Sequence, residues 1–579
     1  MERMQKARRI GAIVLSLALL AFSETYYIDS QNGNDGAIGT SPGAAWKSLT
    51  KVNATTFGAD TLLLACGSVW NDTLCPRAAG TAQHPFVISK YGTGNMPLIN
   101  GGGPLHTVHF YNQEYFEISN LEITNIGTPN VTYRRAVSLE YRGFGKTIHH
   151  AVIRDLFIHD IDGVTTGANF IYFQSGGVHI AVWDGSPFDD LLIERNRILK
   201  VHGQGILKYN SGGSGARSRT TNLVIRNNNL DSIGGDGIVL YAVKKGLVEH
   251  NVLHHGGWGV GGNCCAGMFG EEGTDSVVWQ YNEVYDEETG GCDRQAFDSD
   301  FRDSNAVFQY NYSHNNAGGF MLFVPSSHGC IVRYNLSQSD LGAGWGLLFH
   351  FNTNWPSQGS VVDGTEQIYN NVFYEPIGRA AEFCEKEYTP RNVFNNIFVN
   401  IGMNSVSGAN NCFFGGSGGS TANGNIMGDP KFAGPAGSAG AGLASAAVYK
   451  LQAGSPCIGK GKLISDNGSK DYFGDALPAN GPIDIGIHQY AANPVAGLPA
   501  APRARESAPM SIKRDSRGVS IILNNRATAA RIFSPSGMLF ADLDALRSIL
   551  IIPSQAMRGT YLAEIRTGHS RQVLPLVVY

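Results

Sequence analysis

The chain has 579 residues, among them 73 glycines, with 16% charged and 10% aromatic residues and a formal net charge of −4. Without an excess of lysine and arginine there is no source for the counterion release that drives nucleic-acid binding, so nucleic acid is not an expected partner. Abundant glycine with frequent aromatic residues points to a turn-rich all-β protein and away from a helical one.

Taken from the start, Lys6, Arg8 and Arg9 precede an apolar run from Ile10 to Phe22, with Ser23 next. That pattern predicts a secretory signal peptide over residues 1–23. The run is shorter than the roughly 20 residues of a membrane-spanning helix, so an uncleaved anchor is the lesser reading. Export permits disulfides, yet nine cysteines cannot all pair. Cys66 and Cys75 are near enough in sequence to close a small loop, and Cys264, Cys265 and Cys292 stand where they would bridge successive turns. Buried packing thiols are the simpler expectation, and no cysteine pair shows zinc-ligand spacing with a matching second pair.

Farther on, segments such as "LLIERNRILKV", "LVIRNNNLDSI", "VVWQYNEVYD" and "VFNNIFVNI" share a short apolar run with an asparagine near its centre. The asparagines Asn196, Asn228, Asn251, Asn282, Asn311, Asn335, Asn371 and Asn396 recur every 23 to 36 residues, a spacing of repeat architectures. A second strand, usually opened by glycine, follows most of them: "GQGILKYN", "GDGIVLYA", "GWGVGGNC", "GGFMLFVP", "GWGLLFHF". Two or three short strands per repeat make one coil of a parallel β-helix, and equivalent asparagines stack into a ladder. Residues 24–490 are therefore expected to form one all-β solenoid.

These repeats resemble the right-handed parallel β-helix proteins of the pectate-lyase-like superfamily, which includes polygalacturonases, polysaccharide lyases and other glycoside hydrolases. The opening "YYIDSQNGNDGAIGTSPGAAWKSLTKVN" and the closing "GSPCIGKGKLISDNGSKDYFGDALPANGPIDIGIHQY" resemble that group's entry and exit. The resemblance implies a right-handed coil acting on polysaccharide and leaves the reaction open, because the fold hosts many chemistries. Polygalacturonases carry aspartates on successive coils with Gly-His-Gly and Arg-x-Lys motifs. Asp236 has a comparable Gly-Asp-Gly-Ile setting, but "GWGVGG" replaces the histidine motif and Arg-x-Lys is missing. The Ala-Phe-Asp-x-Asp strand is more similar to secreted β-helix proteins grouped near glycoside hydrolases of fucosylated or xylan-type glycans.

That strand lies in "AFDSDFRD". Alternation sends Phe297, Ser299 and Phe301 one way and Asp298 and Asp300 the other. Aligning the second strands on Ile206, Ile238, Val260, Phe297, Phe320 and Leu347 as inward residues predicts an outer column of Tyr209, Tyr241, Asn263, Asp300, Phe323 and His350. Aromatic faces for sugar rings would then flank central carboxylates; the alternative is an outer ladder covered by loops. This register turns Lys208 inward, which calls for a bulge or a slip.

Carboxylates two residues apart suit both retaining and inverting glycosidases, and repulsion between them raises one pKa, leaving a proton donor beside an ionised partner. The candidate catalytic residues are Asp298, Asp300, Glu271, Glu272 and Asp236. The candidate substrate-binding residues are Tyr209, Tyr241, Asn263, Phe323, His350 and Arg302. Asp275, Asp286, Glu287, Glu288 and Asp293 crowd the adjoining loops. The expected function is a secreted glycoside hydrolase that needs no cofactor and acts as a monomer on a plant or algal cell-wall polysaccharide. Two alternatives stand beside it: a lyase of uronate glycans holding Ca2+ through Asp298, Asp300 and Asp303, and a non-catalytic surface glycan-binding protein.

Residues 491–510 read as a Pro/Ala-rich linker. Residues 511–579 read as short strands of a small β-sandwich. The order "IFSPSGMLF", "IPSQAMRGTYLAEI" and a terminal strand resembles C-terminal sorting domains of type IX-like secretion, which implies the secretion machinery as a partner. A carbohydrate-binding or structural module is the competing reading, though the exposed tryptophan cluster of a binding platform is missing.

Overall fold

The computed structural model describes residues 23–490 except 129–130, 165–173, 211–218, 259–264, 289–292, 342–345, 353–363, 379–380, 387, 389 and 404–407. Beyond 490 it describes the backbone of the strands between Met510 and Val578. The expected signal peptide, Asn263, Cys264 and Cys292 lie outside the described residues.

Residues 24–490 wind into three long parallel sheets of 13, 14 and 9 strands. One coil supplies Leu247–Glu249, Val252–Gly256 and Met268–Glu271, one strand to each sheet. The next supplies Val278–Gln280, Glu283–Tyr285 and Phe297–Ser299, each pairing in parallel with its counterpart. This is a parallel β-helix. The inward residues of each strand find apolar partners on the coils above and below. In the 13-stranded sheet Ile193, Ile225, Val248, Trp279, Phe308, Val332, Ile368 and Val393 are register neighbours, all buried. Each such side chain contributes about 1.5–3 kcal/mol on burial, but only because the neighbouring coil is there to cover it.

The asparagine ladder forms at the corner between the first two sheets. Asn228 shows its logic: its Nδ2 donates to Ile193 O (3.0 Å) and to Asn251 Oδ1 (2.9 Å), while its Oδ1 accepts from the N–H and Nδ2 of Asn196. The same pattern runs through Asn282, Asn311, Asn335, Asn371 and Asn396 and continues to Asn411 and Asn425. Every amide inside the ladder is therefore bonded on both sides, as a buried polar group requires.

Lys208 does point inward, fully buried, with no bulge: Ile180, Lys208 and Leu240 are register neighbours, and its Nζ donates to Tyr241 O at 2.9 Å. The Cys66–Cys75 loop that the spacing allowed is not formed. Cys66 follows a strand of the first sheet and Cys75 a strand of the second, and their sulfurs face Gly92 O and Thr73 Oγ1 instead. The segment before Tyr490 packs on the outside of the coils: Tyr449 Oη donates to Gln338 Oε1 (2.8 Å) and Asn370 Nδ2 to Asp484 O (2.9 Å). Among the described residues no helix is long and apolar enough to cross a membrane.

Residues 491–579 form a separate unit. It contains an antiparallel sheet of Met510–Asp515, Gly518–Leu523 and Ile549–Pro553, and a second of Ala527–Phe533, Leu539–Asp544, Gly559–Thr567 and Ser570–Val578.

Candidate active site

The nine-stranded sheet carries the acids, and its register departs from the expected one. Ile206, Ile238, Met268, Phe297, Met321 and Phe349 are the inward neighbours. The coil assigned to "GWGVGG" places Met268–Glu271 in the sheet instead, so Phe269 and Glu271 take the outward places given to Gly261 and Asn263. A small residue marks the true register. A Cβ on Gly205, Gly237 or Gly267 would stand within 2.6 Å of the carbonyl oxygen of Gly237, Gly267 or Ala296 respectively, so the coils can approach only where that side chain is missing or tiny. Gly319 comes as close, 2.3 Å from such a Cβ to Leu347 O, but it also has a left-handed φ of 108° and makes the turn itself. The strand after it therefore starts one residue later than a glycine rule expects.

That slip turns Phe323 inward beside Ser299 and Phe351, fully buried, so it is no substrate platform. His350 faces out, but in the column of Asp298 and not that of Asp300: the rungs there are Leu207, Val239, Phe269, Asp298, Leu322 and His350. Leu207, Val239, Phe269, Asp298 and Leu322 are all buried although they face away from the helix interior. In the next column Tyr209, Tyr241, Glu271 and Asp300 follow one another about 4.8 Å per coil; Tyr241 is buried and the other three are partly exposed.

Among the described residues a run of aromatic rings lies on one side of the acids. Trp183 meets Tyr209 edge to face at 5.5 Å, Tyr209 meets Tyr241 at 5.1 Å, and the Arg142 guanidinium sits 4.6 Å over Trp183. Tyr241 then hydrogen-bonds the Glu271 carboxylate. On the far side of Asp300 the chain continues into Val324, whose N–H donates to Ser299 O.

Five acids share one electrostatic field here: Asp236, Glu271, Asp293, Asp298 and Asp300. Asp298 is 2% exposed, and its Oδ1 has no hydrogen-bond partner among the described residues. Burial, then the Asp300, Asp293, Glu271 and Asp236 charges, hold it well above the carboxylate range. Half-buried Glu271 is raised by burial and Asp300, against the opposing Tyr241 bond. Burial with the Asp293 and Asp236 charges pushes Asp300 up to about 7, although its Oδ1 accepts from Phe301 N at 2.5 Å. Asp293 is lifted by burial to about 6, restrained by the neighbouring His350 and Arg294. All five carboxyls are raised because so many carboxylates cannot ionise together in a site with little water.

Asp293 is the residue that sequence reasoning left undistinguished among the loop acids. Asp236 belongs to a coil-to-coil chain: its N–H donates to Gln204 Oε1 (2.8 Å) and its Oδ1 accepts from Ala266 N (2.7 Å). Burial raises its carboxyl to about 7. Glu272 turns out to the surface in a left-handed conformation and pairs with Arg302 at 2.7 Å, so these two candidates engage each other. His350 is ion-paired with Glu385. The three supposed calcium ligands do not converge. Asp303 is fully buried with its Oδ2 on the inward Ser299 Oγ at 3.0 Å, whereas Asp298 faces outward. Glu287 and Arg294 lie buried under Gly256 and Gly257, where a Cβ would meet them, and burial pushes Glu287 up to about 8.

The chain is thus a parallel β-helix whose outer face gathers acids beside an aromatic run. Residues 106–269 and 176–355 match the family model described as a right handed beta helix region, which fixes the hand of the coil. In sequence the chain is similar to a lacto-N-biosidase of Bifidobacterium longum subsp. longum, 29% identical over 476 residues, covering 65% of this chain and 29% of that protein. The match thus spans under a third of the relative's length. Two crystal structures of the GH136 lacto-N-biosidase from Eubacterium ramulus share the fold. One superposes with a TM-score of 0.53 at 22% identity, covering 66% of this chain and 67% of the other. The other gives 0.51 at 24%, covering 62% and 65%.

Proposed function

We propose that the β-helix is a glycoside hydrolase whose centre is the acid patch on the nine-stranded sheet, with Asp293 and Asp300 in the two leading roles. The observation that carries this reading is the gathering of mutually repelling carboxylates, raised to neutral pKa, at the accessible end of the Trp183, Tyr209 and Tyr241 run. Glycoside hydrolysis needs one carboxyl to protonate the leaving oxygen and one carboxylate to attack the anomeric carbon or activate water. Near pH 6.5 Asp300, at about 7, carries its proton and is the acid; Asp293, at about 6 between Arg294 and His350, is ionised and is the nucleophile or base. Asp298 and Glu271, whose carboxyls burial and the same field raise well above the usual range, resist adding further charge beside the working pair.

The aromatic run offers faces for sugar rings along successive coils. The similarity to a lacto-N-biosidase favours a hydrolase over a calcium lyase, and the inward turn of Asp303 removes one ligand of the lyase scheme. We take glycans bearing a lacto-N-biose unit as the first substrates to try and plant or algal cell-wall polysaccharides as the second. We also read the protein as exported through its N-terminal run, with residues 511–579 as a sorting module and the β-helix working as a monomer.

The test is incubation of the full chain and its Asp293→Asn and Asp300→Asn variants with both substrate groups, following reducing ends and absorbance near 235 nm. New reducing ends that disappear in both variants support the reading. Activity that persists in both places the chemistry elsewhere, and a rise in ultraviolet absorbance makes the enzyme a lyase.

A further inference from the structure

Away from the acid patch, on the outside of the 14-stranded sheet, three donor atoms on two adjacent coils converge. Asp231 lies in the strand Asn229–Ile233 and His254 and His255 in Val252–Gly256, with Asp231 and His254 direct register partners. His254 Nδ1 is 3.1 Å from His255 Nδ1, and Asp231 Oδ1 is 3.4 Å from the first and 3.3 Å from the second. The three atoms thus form a nearly equilateral triangle.

We propose that Asp231, His254 and His255 form a zinc site that staples two successive coils together. Zn–N and Zn–O bonds of roughly 2.0–2.1 Å in a tetrahedron put neighbouring ligand atoms about 3.3–3.4 Å apart. The observed triangle matches one face of such a tetrahedron, leaving the fourth corner toward solvent. Two imidazoles and a carboxylate are also a donor set that suits this ion. A proton between the two Nδ1 atoms links only one of the three pairs, whereas a cation at the centre satisfies all three at once.

The surroundings hold the donors in this arrangement. Ser232 Oγ donates to the same Asp231 Oδ1 at 2.9 Å, a contact of the kind that orients metal-binding carboxylates. The His254 ring is stacked in parallel on Tyr285 at 5.0 Å, and Tyr285 on His314 at 4.5 Å, so its Nδ1 cannot swing away without breaking a stack across coils. His255 takes a left-handed φ of 54°, which brings its ring back toward its neighbour's. The staple sits just before Gly256 and Gly257, whose close packing over Glu287 and Arg294 begins the stretch that leads to Met268 and Glu271.

The experiment is titration of the metal-free full chain with ZnCl2 by calorimetry and thermal unfolding, beside His255→Ala and Asp231→Asn. A His106→Ala variant serves as control, because His106, His109 and Glu140 form a second cluster, although Arg142 already holds that glutamate at 2.6 Å. Micromolar or tighter binding that raises the unfolding temperature, weakened about 100-fold in His255→Ala and Asp231→Asn and unchanged in His106→Ala, is the expected result. Co2+ in place of zinc should give the visible absorption of a tetrahedral site in the parent and not in His255→Ala. Zinc affinity indifferent to His255→Ala and Asp231→Asn, or absent in the parent, overturns the proposal.

Discussion

The asparagine ladder and the acid patch are built by the same device, a residue repeated at one place on successive coils, and they solve the burial of polar groups in opposite ways. Asn228, Asn251 and Asn282 pass hydrogen bonds along the stack until every amide inside it is paired. Asp298 is equally buried yet has an oxygen with no partner and faces other acids in place of donors. A satisfied ladder stabilises the fold, whereas buried carboxylates that repel one another destabilise it at neutral pH. Such an arrangement persists where it serves a reaction.

The sharpest way to break this contrast is to neutralise one acid of the working pair. Asp300→Asn keeps the shape and removes the proton donor, so kcat should fall by about 10^3-fold or more while the fold is retained, read by reducing-end release and circular dichroism. Asp236→Asn probes the line between the two regions, since Asp236 lies in the acid field but bonds from coil to coil. Its folded pKa, about 7, is raised above the ordinary 3.8, so the stability it contributes is complete below about pH 4 and is lost as the pH rises through 7. The amide keeps the acceptor for Ala266 N and cannot ionise. The variant should equal the parent in denaturant unfolding at pH 4, exceed it at pH 8 by up to about 4 kcal/mol, and retain activity.

On the structural side, Asn282→Ala leaves Val248 O, Asn251 N and Asn311 Oδ1 each short of a bond. It should cost about 3 kcal/mol in the same assay without changing kcat per folded molecule. The smallest expected effect is that of Tyr241→Phe, which removes the hydrogen bond to Glu271. That carboxyl should titrate still higher, and kcat/KM should drop by roughly tenfold, with stability almost unchanged.

The ladder was legible in the sequence because its asparagines sit at a corner of constant length, immediately before a strand whose apolar residue must face inward. The carboxylate strand was legible by alternation: Asp298 does face out, opposite Phe297 and Ser299. The register of the sheet around it was not, because the stretches leading into it, 257–267, 286–296 and 315–320, differ in length and spend glycines on turns as well as on close packing. Gly319 misplaced Phe323 for that reason, and the second glycine pair of "GWGVGGNCCAGMFG" hid the strand at Met268. Asp293 could not be told from Asp286 or Glu288 in the sequence. What separates it is the field of Asp236, Asp298 and His350, which belong to other strands or to other turns of the coil, together with its own neighbour Arg294.

The most direct measurement of the central claim is the pH dependence of kcat/KM on a cleaved glycan. Asp293 must be ionised and Asp300 protonated, so the rate should climb as pH rises through about 6 and decline above about 7, giving a narrow bell centred between them. A rate that stays level from pH 5 to pH 8 would contradict the assignment of the reaction to this patch.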